Sequence, residues 1–136
     1  MEMVVDRIES HVSVAILRLS GDLDGSNYKD VIAKSQELHD DGIRYLLLDM
    51  ENIRYMGSAG LIALHRIVLM MQGDEVPGEE AGWEAIHALD RVRDDDKQDR
   101  VKLLNPRPNV IRVLATTGLK DFFESYTDQD AAIASF

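Results

Sequence analysis

Apolar residues in this chain fall into short alternating or continuous runs, separated by stretches in which they recur every three or four positions. Met3 to Ile8 is a short run, apolar at Val4 and Val5. Val12 to Leu19 places Val12, Val14, Ile16 and Arg18 on one side and Ser13, Ala15, Leu17 and Leu19 on the other. Apolar side chains on both sides predict a strand covered on both faces. Gly21-Asp22-Leu23-Asp24-Gly25 then breaks the pattern. Ser26 is placed to cap a helix in which Tyr28, Val31, Ile32, Ser35 and Leu38 keep helical spacing. Asp40-Asp41-Gly42 ends it, with Gly42 as the C-terminal cap. Ile43 to Met50, built on Tyr45-Leu46-Leu47-Leu48, reads as a central parallel strand. Glu51 to Gly57 reads as a connection held to the core by Ile53 and Met56. Ser58-Ala59-Gly60 opens a second helix that runs to about Gln72. Leu61, Leu64, Val68 and Met71 form its core stripe, and Ile62, Leu69 and Met70 fall outside it.

The regular pattern stops at Gly73 and resumes after Asp99, a gap far longer than the roughly 4–6 residues of most connections. Within it, Trp83, Ile86, His87 and Val92 have the spacing of a short amphipathic helix. Val101 to Leu104 is a short strand, and Asn105-Pro106-Arg107-Pro108 turns the chain. Asn109 is placed to cap a helix carrying Val110, Val113 and Leu114, which Gly118 stops. Phe122 to Tyr126 reads as an edge strand and Asp128 to Phe136 as a closing helix. Strands alternating with helices predict an α/β domain: a mostly parallel sheet of about five strands wrapped by about four helices.

At 136 residues the chain suits a single domain spanning 1–136, with 73–99 as an insertion or mobile loop after the second helix. The absence of cysteine rules out disulfides, thiolate metal sites and a cysteine nucleophile. The net charge of −10 argues against nucleic acid and against an anionic membrane as partners. Residues 73–99 hold ten acidic side chains against three basic ones, and so carry most of that charge. The opening MEMVVDRIES lacks the apolar core of a signal peptide, and no run approaches the roughly 18–20 apolar residues of a membrane helix. The chain is therefore expected to begin near Met1 and to be cytoplasmic.

Ser58 carries the most information, because it stands between a strand and a helix. Its local reading is a helix N-cap. A phosphate there would also face the free N–H groups and positive end of the helix. A hydrolase reading has little behind it. The nucleophile-elbow pattern G-x-S-x-G is broken by Met56, and His65 lies two helical turns from Ser58, about 10 Å along the axis. Phosphate-cradling glycine loops are missing. Asp94-Asp95-Asp96 lacks the alternate spacing of a calcium loop, and His11, His39, His65 and His87 form no metal spacing. No metal or cofactor is expected. Asp22 and Asp24 flank a turn, where such residues are commonly placed by turn chemistry alone.

Taken together, Gly21-Asp22-Leu23-Asp24, Arg44-Tyr45-Leu46-Leu47-Leu48-Asp49, Tyr55-Met56-Gly57-Ser58-Ala59-Gly60-Leu61 and the later Leu104-Asn105-Pro106 and Leu114-Ala115-Thr116-Thr117-Gly118-Leu119 resemble the STAS domain. The resemblance covers nearly the whole chain outside 73–99. It is nearer to the free-standing anti-sigma factor antagonists of bacteria than to sulphate-transporter tails. It implies a single STAS-like domain without catalysis that binds an anti-sigma factor serine kinase. It further implies phosphorylation at Ser58, reversal by a phosphatase, and a partner surface over Asp22, Asp24, Gly57, Ser58, Ala59, Gly60 and Ile62. Where the family motif carries an acid before the serine, this chain has Gly57. The alternative reading is a scaffold subunit of a stressosome-like STAS assembly, which implies self-association.

Overall fold

Strands β1 (Glu2–Glu9), β2 (Ser13–Leu23) and β3 (Tyr45–Met56) make up three strands of a five-stranded sheet; β4 (Val101–Leu104) and β5 (Ser125–Tyr126) complete it in the spatial order β1-β2-β3-β4-β5. Among the described residues only the β1–β2 pair is antiparallel; the other pairs are parallel. Helices α1 (Tyr28–Asp40), α2 (Ser58–Met71), α3 (Pro108–Thr116) and α4 (Gln129–Ala134) complete the α/β arrangement expected from the alternation. The computed structural model describes residues 1–73 and 98–136. The short helix expected around Trp83, and the acidic triplet at Asp94, lie outside the described residues.

Both faces of β2 are buried, as its pattern requires. Ala15, Leu17 and Leu19 join Leu48, Leu103 and residues of α1, α2 and α3 in the larger core. Val14 and Ile16 join Leu47, Leu104, Ala132 and Ile133 in a smaller one beneath α4. Burying each such side chain contributes about 1.5–3 kcal/mol, so two filled faces fix the register of the central strands. Helix α2 packs against both α1 and the sheet. Met70, outside its expected stripe, is therefore buried, while Ile62 and Leu69 are half-buried.

Several expected boundaries shift. Strand β2 runs on to Leu23 and β3 on to Met56, so Glu51 to Met56 is strand rather than connection. Two register shifts, between Arg18 and Ser20 and between Gly21 and Asp22, put extra residues into β3 and hide its alternation. Ile53 and Met56 still anchor the segment to the core. Ser26 does not cap α1: Asn27 holds that position, and the Ser26 hydroxyl turns back to Asp24. Gly42 does follow α1 at φ +101°, the left-handed conformation that suits glycine. At α3 the cap is Arg107, with Pro108 as first helical residue, where its missing N–H costs nothing. Asn109, expected as that cap, instead donates to the Arg54 carbonyl at 2.7 Å. Strand β5 keeps only Ser125 and Tyr126 of the expected Phe122–Tyr126, because Phe122 sits in a turn closed on the Leu119 carbonyl. The closing helix is likewise trimmed to Gln129–Ala134, with Asp128 capping it by accepting from Asp130 N–H.

Two cations fasten α4 over the smaller core. Arg18 donates at 2.8 Å to each of Asp6, Asp49 and the Gln129 side chain. The Asp6 bond, followed by the bond to and charge of Asp49, raises the Arg18 pKa further against its own desolvation. Lys102, only 3% exposed, pairs with Glu124 at 3.0 Å and donates to the Ser135 carbonyl and hydroxyl at 3.0 and 2.9 Å. A helix of this length has little stability of its own, so these ties and the apolar contacts hold it.

Candidate functional site

The carboxyl ends of β2 and β3 meet at one rim of the sheet, the usual location of sites in open α/β folds. Leu23 lies opposite Met56 in register, and the Leu23 carbonyl accepts the Gly57 N–H at 3.0 Å. The turn after β2 and the start of α2 are thereby held side by side. Gly60 N–H bonds back to the Gly57 carbonyl at 3.0 Å and closes the first turn of α2.

Ser58 is exposed and is the first helical residue of α2; the cap is Gly57, in extended conformation with φ −93°. The N-cap reading of Ser58 is thus corrected by one position. Ser58 stands on the rim, in the helix turn whose first N–H groups have no intrahelical partners. Of the other residues singled out in the sequence, Asp22, Asp24, Gly57, Ala59 and Ile62 are partly exposed, whereas Gly60 is buried. Gly60 has a packing role. A Cβ there would lie 2.4 Å from Met56 Cγ and 3.2 Å from Leu23 Cδ2, so only glycine lets α2 approach the strand ends this closely.

The turn beneath Ser58's neighbours is tightly tied. The Asp24 carboxylate accepts from Ser26 Oγ at 2.6 Å and Ser26 N–H at 2.9 Å. The Asn27 side chain donates to the Asp22 carbonyl at 2.6 Å and accepts from Asp24 N–H at 3.1 Å. The Ser26 hydroxyl bond, then the Ser26 N–H bond, hold the Asp24 carboxyl below its usual pKa. A depressed carboxylate pKa means that this turn's stabilisation is complete above about pH 4, the ordinary carboxylate value, and is lost as pH falls through the lower folded value. Ser26→Ala is expected to bring the Asp24 titration back up toward that ordinary value. An NMR titration of the Asp24 carboxyl carbon measures it, and an unchanged titration would contradict the assigned cause.

Beside this turn is an open depression of about 520 Å³, lined by Ser20, Asp22, Asp24, Asn27, Asn52 and Arg54 among others. Arg54 lies 3.6 Å from Asp22 across it. Two rim residues escape the sequence pattern. Arg54 is the extra residue at the second register shift of β3, and Tyr55, opposite Asp22, is 55% exposed. A bulge has no signature in hydrophobic alternation, so nothing in the pattern marks them as surface. His65 is 5% exposed and so does not share the open surface of Ser58. Burial, with the Arg66 charge adding to it, pushes its pKa down. Among the described residues, no group of three or more His, Asp or Glu side chains is arranged to hold a metal ion. No described helix is long and apolar enough to cross a membrane.

Residues 5–76 match the family model of the STAS domain. No curated protein matches the sequence. Among solved structures, a putative anti-sigma factor antagonist from Thermotoga maritima is 16% identical, with 97% of this chain and 92% of that chain covered and a TM-score of 0.70. An anti-sigma factor antagonist from Mycobacterium paratuberculosis is 19% identical, with coverages of 98% and 93% and a TM-score of 0.61. The Bacillus cell fate determinant SpoIIAA in its phosphorylated form is also 19% identical, with coverages of 99% and 100% and a TM-score of 0.57. At these identities the likeness is one of fold.

Proposed function

The chain belongs to the STAS family, and on that premise we propose that it is an anti-sigma factor antagonist: a non-catalytic module that binds a kinase-type anti-sigma factor and is switched by phosphorylation of Ser58. The observation that carries this reading is the position of Ser58, exposed as the first residue of α2 on the open rim of the sheet. A kinase can reach it there without unfolding the helix. Asp22, Asp24, Gly57, Ala59 and Ile62, around it on the same two chain segments, supply the docking surface, and Gly60 sets the approach of α2 that shapes it.

The chemistry of the switch is electrostatic. A phosphate adds about −1.5 to −2 charges and three strong acceptor oxygens at a point that docking has to desolvate. The first-turn N–H groups of α2 stabilise the phosphate in the free protein, which favours the released state further. Reversing a complex from almost fully bound to almost fully free takes about 5.5 kcal/mol of differential affinity. A phosphatase restores the binding form.

Capture from the native lysate with wild-type and Ser58→Glu baits, read by mass spectrometry, tests the assignment. The expected result is a kinase-like anti-sigma factor on the wild type, reduced at least about tenfold on Ser58→Glu, a loss of about 1.4 kcal/mol or more. Equal recovery of the same partners on both baits, or recovery mainly of other STAS proteins, would instead support the stressosome-like scaffold.

A further inference from the structure

Tyr55 presents a large aromatic ring to solvent at 55% exposure, three residues before Ser58. Its place has a definite structural cause. The register shift that makes Arg54 an extra residue turns Tyr55 outward opposite Asp22, and the Arg54 carbonyl is tied to α3 by the Asn109 side chain at 2.7 Å. The ring then lies across Gly57. A Cβ built on Gly57 would be 3.2 Å from the phenol oxygen, 3.4 Å from Cε1 and 3.6 Å from Cζ. The Gly57 backbone, extended at φ −93° and ψ −173°, accepts any residue. A side chain at 57 would therefore meet no backbone strain, only the far end of the exposed ring, which would have to shift by a few tenths of an ångström.

From this we infer that Tyr55 is a partner-specificity residue of the Ser58 site, and that Gly57 is its seat; the inference rests on the reading given above. A kinase-type anti-sigma factor docked over Ser58 covers the ring, which supplies a rigid apolar anchor where an acid side chain at 57 would offer charge. Tyrosine is among the residues that most often dominate such interfaces, because a large area is buried for little loss of side-chain freedom. The same placement sharpens the switch. A phosphate on Ser58 stands beside a ring that docking has to dry, and a dianion keeps water there.

A double-mutant cycle by calorimetric titration tests the pair, with the purified kinase that the wild type captures as probe. Tyr55→Ala is expected to weaken binding about 10- to 100-fold, and Tyr55→Phe to stay within about threefold of wild type. Gly57→Asp, which pushes the ring aside, is expected to cost about 3- to 10-fold alone and nothing further in the Tyr55→Ala background. All three are expected to unfold at the wild-type midpoint or above, since neither side chain belongs to the core. Wild-type affinity in Tyr55→Ala, or equal losses from Gly57→Asp in both backgrounds, overturns the inference and leaves the antagonist reading standing. Failure of the wild type to capture any such kinase overturns both.

Discussion

Arg18→Met is expected to lower the stability of the protein by about 3 kcal/mol in urea unfolding, one of the two largest effects of a single substitution away from the rim. Asp49 is only 7% exposed and lies against Arg18 at 2.8 Å. Removing one partner of a largely buried pair strands the other, and such losses run to about 3–5 kcal/mol. The value here falls at the lower end, because Asp49 also accepts the Glu51 N–H at 3.1 Å and Arg18 is a third exposed. The same change cuts the tie from Arg18 to Gln129 at the start of α4. Amides under that helix are therefore expected to exchange hydrogen faster than those under α2. Pairing the change with Asp49→Leu is expected to recover most of the loss, since apolar residues often replace a buried pair at no cost. A loss under about 1 kcal/mol, or no recovery in the double variant, would show that Arg18 is an ordinary surface charge.

Gly60→Val is expected to cost about 2–3 kcal/mol and to disturb the rim as well. Any Cβ at 60 meets Met56 Cγ at 2.4 Å, and the branched side chain adds bulk toward Leu23. Both neighbours are buried, so neither moves freely. Overpacking of this kind costs about 1–3 kcal/mol. Valine recovers only a few tenths of a kcal/mol over glycine in helix propensity. Because Gly60 N–H closes the first turn on Gly57, displacement of α2 also moves Ser58. Unfolding midpoints, with the backbone shifts of Gly57 and Ser58 in NMR spectra, measure the two effects together. Unchanged shifts at both residues would mean that the close approach of α2 does not set the rim.

Much of the fold was legible because two independent periodicities agree with it. The two-sided apolar pattern of Val14 to Leu19 required cover on both faces, and the structure supplies α1 to α3 on one and α4 on the other. The stripe Leu61, Leu64, Val68 and Met71 is buried as its spacing demands. What escaped was set by contacts between segments distant in sequence. Strand β3 outran its alternation because it is bulged against β2, and no local pattern encodes a bulge. Asn109 looked like a cap, yet its side chain serves Arg54, 55 positions earlier. Lys102 reads as a surface charge within a strand, but Glu124 and Ser135 bury it as a fastener.

At the site, the sequence pointed to Ser58 and to Asp22 and Asp24, and the fold brings the segments carrying them together through the Gly57–Leu23 hydrogen bond. It pointed to Gly57 as part of the partner surface and as a departure from a motif. That the Tyr55 ring lies across that glycine requires coordinates.

The most direct test of the central claim is a titration of the purified anti-sigma kinase with two preparations of this protein, one unphosphorylated and one quantitatively phosphorylated at Ser58. The account predicts tight binding of the first and at least about 30-fold weaker binding of the second, about 2 kcal/mol. Equal affinities with phosphate confirmed on Ser58 would contradict it, and would leave that residue as no more than the first turn of a helix.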